Sequence, residues 1–174
     1  MDQHQARPDP APEVLVFDSI GGLPLHPLVI HAVVVGAPLA ALLGLMFAVP
    51  RFRNWSRWVV ALVAIGTFGA SLVAKESGEA LQRQLGITPD DGSVGQLIEK
   101  HSMLADQLVW VLAGYAVLAV LNALVVTRAG RVGAVRAIDR ILPVLLVVGA
   151  VLVLVWCYRV GDAGARAVWS GTGA

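Results

Sequence analysis

The chain has 174 residues, of which 57% are hydrophobic and 14% charged, with a mean hydropathy of +0.73 and a formal net charge of +1. An average soluble domain is about a quarter charged, so this composition excludes an ordinary soluble globule, and the absence of a basic stripe excludes a nucleic-acid-binding surface. Cys157 is the single cysteine, which excludes an intrachain disulfide and a multi-thiolate metal centre.

Residues 1–22 begin as a polar tail, MDQHQARPDPAP, with neither the basic start nor the apolar stretch of a secretory signal. The first apolar window is therefore expected to be retained as a helix, and His4 in the tail is incidental. Crossing a bilayer core takes about 20 apolar residues per helix. Four windows qualify, residues 28–49, 58–74, 108–126 and 141–158. With their flanks they predict spans near 28–49, 56–75, 104–127 and 138–159 within a membrane domain over residues 23–171. The expected fold is an all-α, four-helix transmembrane bundle. Small residues at helical spacing, such as Ala37 with Ala41, Ala40 with Gly44 and Gly66 with Ala70, allow close helix packing. No internal sequence repeat and no strand pattern is visible.

The two short loops carry Arg51, Arg53, Arg57, Arg128, Arg131, Arg136 and Arg140 against Asp139 alone. The N-terminal tail, the long middle loop and the C-terminal tail hold six cations against ten acids. Basic short loops mark the cytoplasmic side, which predicts that both termini lie outside. Trp55, Trp58 and Trp169 suit interfacial positions.

Between the second and third spans, Leu81 and Leu85 followed by Gly86 read as a helix that stops at a left-handed glycine. A turn at residues 88–92 follows, and Ser93 with Gln96 has the spacing of a capping box. The third helix is thus expected from about Val94 to Val126, roughly 50 Å and longer than the bilayer core. Residues 76–100 would form an extracytoplasmic helical hairpin in which the second and third helices extend outside the membrane. Lys75, Glu76, Glu79 and Arg83 read as its solvated face, and Glu99, Ser102 and Asp106 continue a polar stripe. The segment 161–174 is expected as an extracytoplasmic tail, because Gly161 and Gly164 weaken the helical spacing of Arg159, Asp162 and Arg166.

The histidines are the chemistry-bearing residues. The stretch LPLHPLVIHA opens the first span. Pro27 suits a first helical turn and biases His26 before it toward the cap, while His31 lies about one turn deeper. On the third helix Val94, Leu97, Ile98, His101, Leu104, Ala105 and Leu108 follow helical spacing, which puts His101 on the apolar face. Both helices enter from outside, so His26, His31 and His101 are expected at one end of the bundle. Two imidazoles from different helices can ligate a haem, and imidazole also suits copper or zinc. Lys75, Arg159 and Arg166 are candidate partners for haem propionates, and Trp110, Tyr115, Trp156 and Tyr158 are candidates to line a flat macrocycle. No enzyme motif is found, and matched broken helices of a solute carrier are absent from the pattern.

HisProLeuValIleHis at residues 26–31, the isolated His101 and the terminal GDAGARAVW at residues 161–169 resemble an uncharacterised bacterial membrane-protein family with an HPLxxH signature, classed as a domain of unknown function. The resemblance covers roughly residues 23–171 and implies four spans in a bacterial plasma membrane. It implies functional roles for His26, His31 and His101, and its occasional fusion to Rieske or cytochrome c domains implies respiratory electron transfer. This chain has Ser170-Gly171 where the family often ends in His-Gly, which removes a fourth ligand for a second haem.

The leading expectation is one b-type haem near the outer face, held by His31 and His101, with His26 as a substitute ligand or the partner behind one. Its electron partner would be a quinone or a redox protein such as a Rieske or cytochrome c domain, and a homo-oligomer is left open. Two other readings stand beside it: a non-catalytic subunit or assembly factor with structural histidines, and an outward-facing copper or zinc site of His26, His31 and His101 with Asp106 in reach.

Overall fold

A computed structural model of the chain describes residues 19–20, 23–126 and 134–169. The expected N-terminal tail lies outside them except for Ser19 and Ile20, as do Arg128, Arg131 and the Ser170-Gly171 pair. Four helices carry the fold: α1 (Leu25–Ala48), α2 (Arg53–Leu85), α3 (Gly92–Val126) and α4 (Ala134–Trp169). A two-residue antiparallel pairing of Ser19–Ile20 with Leu23–Pro24 leads into α1. All four helices are long and apolar enough to cross a membrane.

The local signals explain most helix ends. Gly86 has φ 64°, and the N–H groups of Gly86 and Ile87 donate to the carbonyls of Arg83 and Gln82, so α2 closes on a left-handed glycine as its sequence predicts. In the following turn the Asp91 carboxylate accepts from the backbone N–H and the hydroxyl of Thr88, and these two bonds hold it below the usual carboxylate range. The Thr88 carbonyl in turn lies where a Cβ on Gly95 would sit, 2.1 Å from it, so α3 starts tightly against the turn.

Two ends differ from the sequence reading. Pro24, rather than His26, is the N-cap of α1, and His26 lies within the first helical turn. Pro27 is still close enough to the start for its missing N–H to cost nothing. At the other terminus α4 runs through Gly161 and Gly164 to Trp169, with an Arg166 to Asp162 ion pair at i, i+4 spacing along it. Residues 161–169 are therefore helix rather than irregular chain. Pro38 and Pro143 sit inside α1 and α4 without ending them.

Each helix packs on two neighbours, in the ring order α1, α2, α3, α4 and back to α1. The core is built of small residues around a few large ones: Ala37, Ala40, Ala41 and Ala64 are fully buried beside Phe47, Leu112, Tyr115 and Leu146. Dispersion and close approach, rather than burial from water, hold such helices together in lipid. The Gly66 seam expected from spacing is absent, because Gly66 is exposed with nothing within 4 Å of a Cβ placed there. Outward positions such as Val35, Leu62, Val117 and Val144 are more than half exposed and form the apolar surface that faces lipid.

Asn122 puts an amide into this core. The Asn122 amide donates to the Leu118 carbonyl at 2.8 Å and to the Leu142 carbonyl of α4 at 3.2 Å, and the side chain is 2% exposed. Asn122→Leu is expected to lower stability by about 0.6 to 1.7 kcal/mol, the range of interhelical hydrogen bonds in membranes. Equilibrium unfolding in mixed detergent micelles would read it.

The burial pattern repeats along the chain. Every buried position of α1 except Leu25 has a buried counterpart 75 residues later in α3: Val33 and Leu108, Ala37 and Leu112, Ala40 and Tyr115, Ala41 and Ala116, Gly44 and Ala119, Phe47 and Asn122. On α2 and α4 an offset of 86 residues pairs four of the nine buried positions of α2, Val60 with Leu146, Ala64 with Ala150, Thr67 with Val153 and Ser77 with Ala163. The bundle is thus two related helical hairpins, α1 with α2 and α3 with α4.

Candidate functional site

A cavity of about 450 Å³ opens at the end of the bundle where α1 and α3 begin and α2 and α4 finish. That volume lies in the range of small-molecule and cofactor sites. Its walls are chiefly apolar, including Ile30, Val33, Ile98, Leu108 and Val160, and the two imidazoles that border it are His26 and His101.

The same construction positions both rings. His26, on α1, donates from Nδ1 to the Ala74 carbonyl of α2 at 2.9 Å. Its ring lies against Gly78, where a Cβ would come within 2.9 Å of Cε1 and 3.0 Å of Nδ1. Ser77 Oγ donates to the same Ala74 carbonyl at 3.1 Å. His101, on α3, donates from Nδ1 to the Val160 carbonyl of α4 at 3.0 Å, and its ring lies against Gly164, where a Cβ would be 3.0 Å from both Cε1 and Nδ1. Each imidazole therefore reaches a carbonyl one helical turn before a glycine, and the glycine leaves room for the ring.

This geometry selects the chemistry of the rings. A carbonyl oxygen only accepts, so Nδ1 must carry the proton, and in the neutral ring Nε2 keeps its lone pair. A backbone carbonyl behind Nδ1 is the arrangement that orients histidine ligands and makes them more basic. Two anchored Nε2 acceptors bordering an apolar cavity can ligate a metal centre or accept hydrogen bonds from a ligand.

His31 does not join them. It is exposed on the outer side of α1, its Nδ1 is bonded to the Pro27 carbonyl of its own helix, and it does not border the cavity. The pair that shares the site is His26 and His101, in place of His31 and His101. Among the described residues no three of His, Cys, Asp and Glu converge as a three-ligand copper or zinc site needs.

Of the three cations offered for propionates only Lys75 borders the cavity. It bridges α2 and α3, paired with Glu79 on its own helix and with Asp106 of α3 at 3.1 Å. Arg159 lies outside the cavity with its guanidinium 5.2 Å from the Trp156 ring centroid, and Arg166 is exposed on Asp162. The aromatic lining is absent too. Trp110 and Tyr158 are 78% and 74% exposed, Trp156 donates to Gln107 outside the cavity at 3.0 Å, and Tyr115 is buried deeper in the core.

The hairpin correspondence extends to the rim and fails there. Lys75, Glu79 and Asp106 on the seam between α2 and α3 correspond by the same offsets to Gly161, Ala165 and His31 on the seam between α4 and α1. The first trio borders the cavity; the second does not.

A family model described as "Predicted membrane protein (DUF2231)" matches residues 22–173. No curated protein and no solved structure matches.

Proposed function

The chain belongs to the DUF2231 family of predicted membrane proteins, and from that premise we propose that it holds one b-type haem in the cavity between His26 and His101 and transfers single electrons. The observation that carries this reading is the shared anchoring of the two imidazoles, which turns both Nδ1 atoms toward backbone carbonyls and leaves both Nε2 atoms for one apolar cavity. Haem, when bound, supplies one-electron chemistry. The protein's own part is to hold two neutral imidazoles in fixed tautomers, to keep water from the macrocycle with its apolar walls, and to place Lys75 at the rim as the nearest cation for a propionate. A propionate there competes with Asp106 for Lys75. The electron partner is a quinone or a redox protein, a Rieske or cytochrome c domain among them.

The test is the dithionite-reduced minus oxidised absorption spectrum of the detergent-purified protein, expressed with haem supplementation. A b-type spectrum at one haem per chain is expected. A flat spectrum overturns the reading.

A second reading rests on the same two hydrogen bonds, which also tie α1 to α2 and α3 to α4 at the cavity end. In it the protein is a membrane subunit or assembly factor whose histidines are fasteners. It expects no absorption band, and a modest loss of stability of about 1 kcal/mol for each histidine replaced. A stoichiometric copper or zinc ion without porphyrin would instead point to a metal held by His26 and His101 with ligands from outside the described residues.

A further inference from the structure

At the opposite end of the bundle from the cavity, we propose that Arg53 and Arg57 form a site for the phosphodiester of an anionic phospholipid. The turn after α1 and the start of α2 hold Arg51, Arg53 and Arg57 within residues 48–58, with no acid among them. Two of these arginines are partly fixed. The Arg51 guanidinium lies 5.9 Å from the Phe52 ring centroid and that of Arg53 lies 5.8 Å from the centroid of Phe47, itself buried. Arg53 also donates through one Nη to the Ala48 carbonyl at a long 3.4 Å.

Among the described residues the Nε–H groups of Arg53 and Arg57 have no acceptor, and both are shielded from solvent. A shielded, charged donor without a partner is costly, and such a group in a folded protein calls for an acceptor from outside. The level of these residues in the membrane names the source. Helix α2 starts at Arg53, its apolar span follows at once, and Trp55 and Trp58 are 68% and 45% exposed beside the arginines. Exposed tryptophans with arginines at the end of a span mark the headgroup layer. Rotation about the outer side-chain bonds presents the Nε and Nη edge of a guanidinium, whose forked donors match two oxygens of a phosphodiester. Because no acid lies among the three arginines, a headgroup that carries its own cation is disfavoured against a net anionic one.

Native mass spectrometry of the detergent-purified full chain tests this, with phosphatidylglycerol, phosphatidylcholine and inorganic phosphate as probes. Phosphatidylglycerol is expected to bind about tenfold or more tighter than phosphatidylcholine, since a basic residue at the surface is worth about fivefold. The double variant Arg53→Gln/Arg57→Gln should lose most of that preference, and Arg53→Lys/Arg57→Lys should keep only part of it, because charge survives and the fork does not. Arg51→Gln should stay near wild type, and size-exclusion profiles confirm that each variant is folded. Equal binding of the two lipids overturns the proposal, as does displacement of phosphatidylglycerol by inorganic phosphate at equal concentration, which would mark a free-phosphate site. Full retention by the lysine variant also overturns it, because net charge alone would then suffice.

Discussion

Replacing either His26 or His101 by alanine abolishes the haem difference spectrum, and replacing His31 leaves it intact; this is the expected result with the largest effect. Each ring is the sole imidazole that its hairpin contributes to the cavity, and a haem left with one of the two imidazoles would no longer give the bis-histidine b-type spectrum. His31 is exposed and bonded within its own helix, so its loss removes no ligand. The contrast among the three variants is what tests the assignment, because a merely structural role gives graded stability losses and no spectral pattern. Thermal unfolding of the same samples separates a lost ligand from a lost fold. A spectrum lost in His31→Ala and kept in His26→Ala would restore the pairing expected from sequence.

The second large effect concerns Tyr115, which reaches from α3 across the bundle to α1. The Tyr115 hydroxyl donates to the Ala40 carbonyl at 2.7 Å across the bundle, and Tyr115 is the largest fully buried side chain. A Cβ at Gly44 would lie 2.0 Å from that hydroxyl and 3.2 Å from the ring carbon bearing it, both backed by the Ala-rich core. Gly44→Ala must therefore displace Tyr115 or part the helices, at a cost of about 1 to 3 kcal/mol typical of overpacking. Tyr115→Phe removes the colliding oxygen and one hydrogen bond, worth about 1 kcal/mol. The double variant should be markedly less destabilised than the two singles together, because a ring without its hydroxyl leaves room for the added methyl group. Additive losses in mixed-micelle unfolding would show that the two residues do not meet.

The four spans, the stop of α2 at Gly86 and the gathering of His26 and His101 at one end were legible in the sequence, because length, hydropathy and chain direction determine them. The choice of histidine was not. His26 and His31 are five residues apart, a rotation of about 140° on a helix, which turns the two rings to different faces of α1. Helix α1 is apolar on every side, and its hydropathy gives no phase by which to tell which ring turns inward. The same five-residue step separates Asp106 from His101 and swings it toward Lys75 on α2, where it forms an ion pair between helices instead of merely ending an exposed stripe. Gly164 reads as a weak point of its helix, yet it and Gly78 are each a seat for an imidazole, a role visible only once the neighbouring helix is in place. The hairpin repeat is hidden in the sequence because what recurs is burial, with Ala40 answering Tyr115 and Phe47 answering Asn122.

The rim residues that break this repeat give the site a direction. Two imidazoles supplied in matching fashion would, by themselves, accept a guest in either of two orientations with equal ease. The charged trio of Lys75, Glu79 and Asp106 on one flank, with no charged counterpart bordering the cavity on the other, removes that degeneracy. A guest with one acidic edge and one greasy edge would sit one way round, and whatever enters or leaves through it would meet a polar flank and a plain one that are no longer interchangeable.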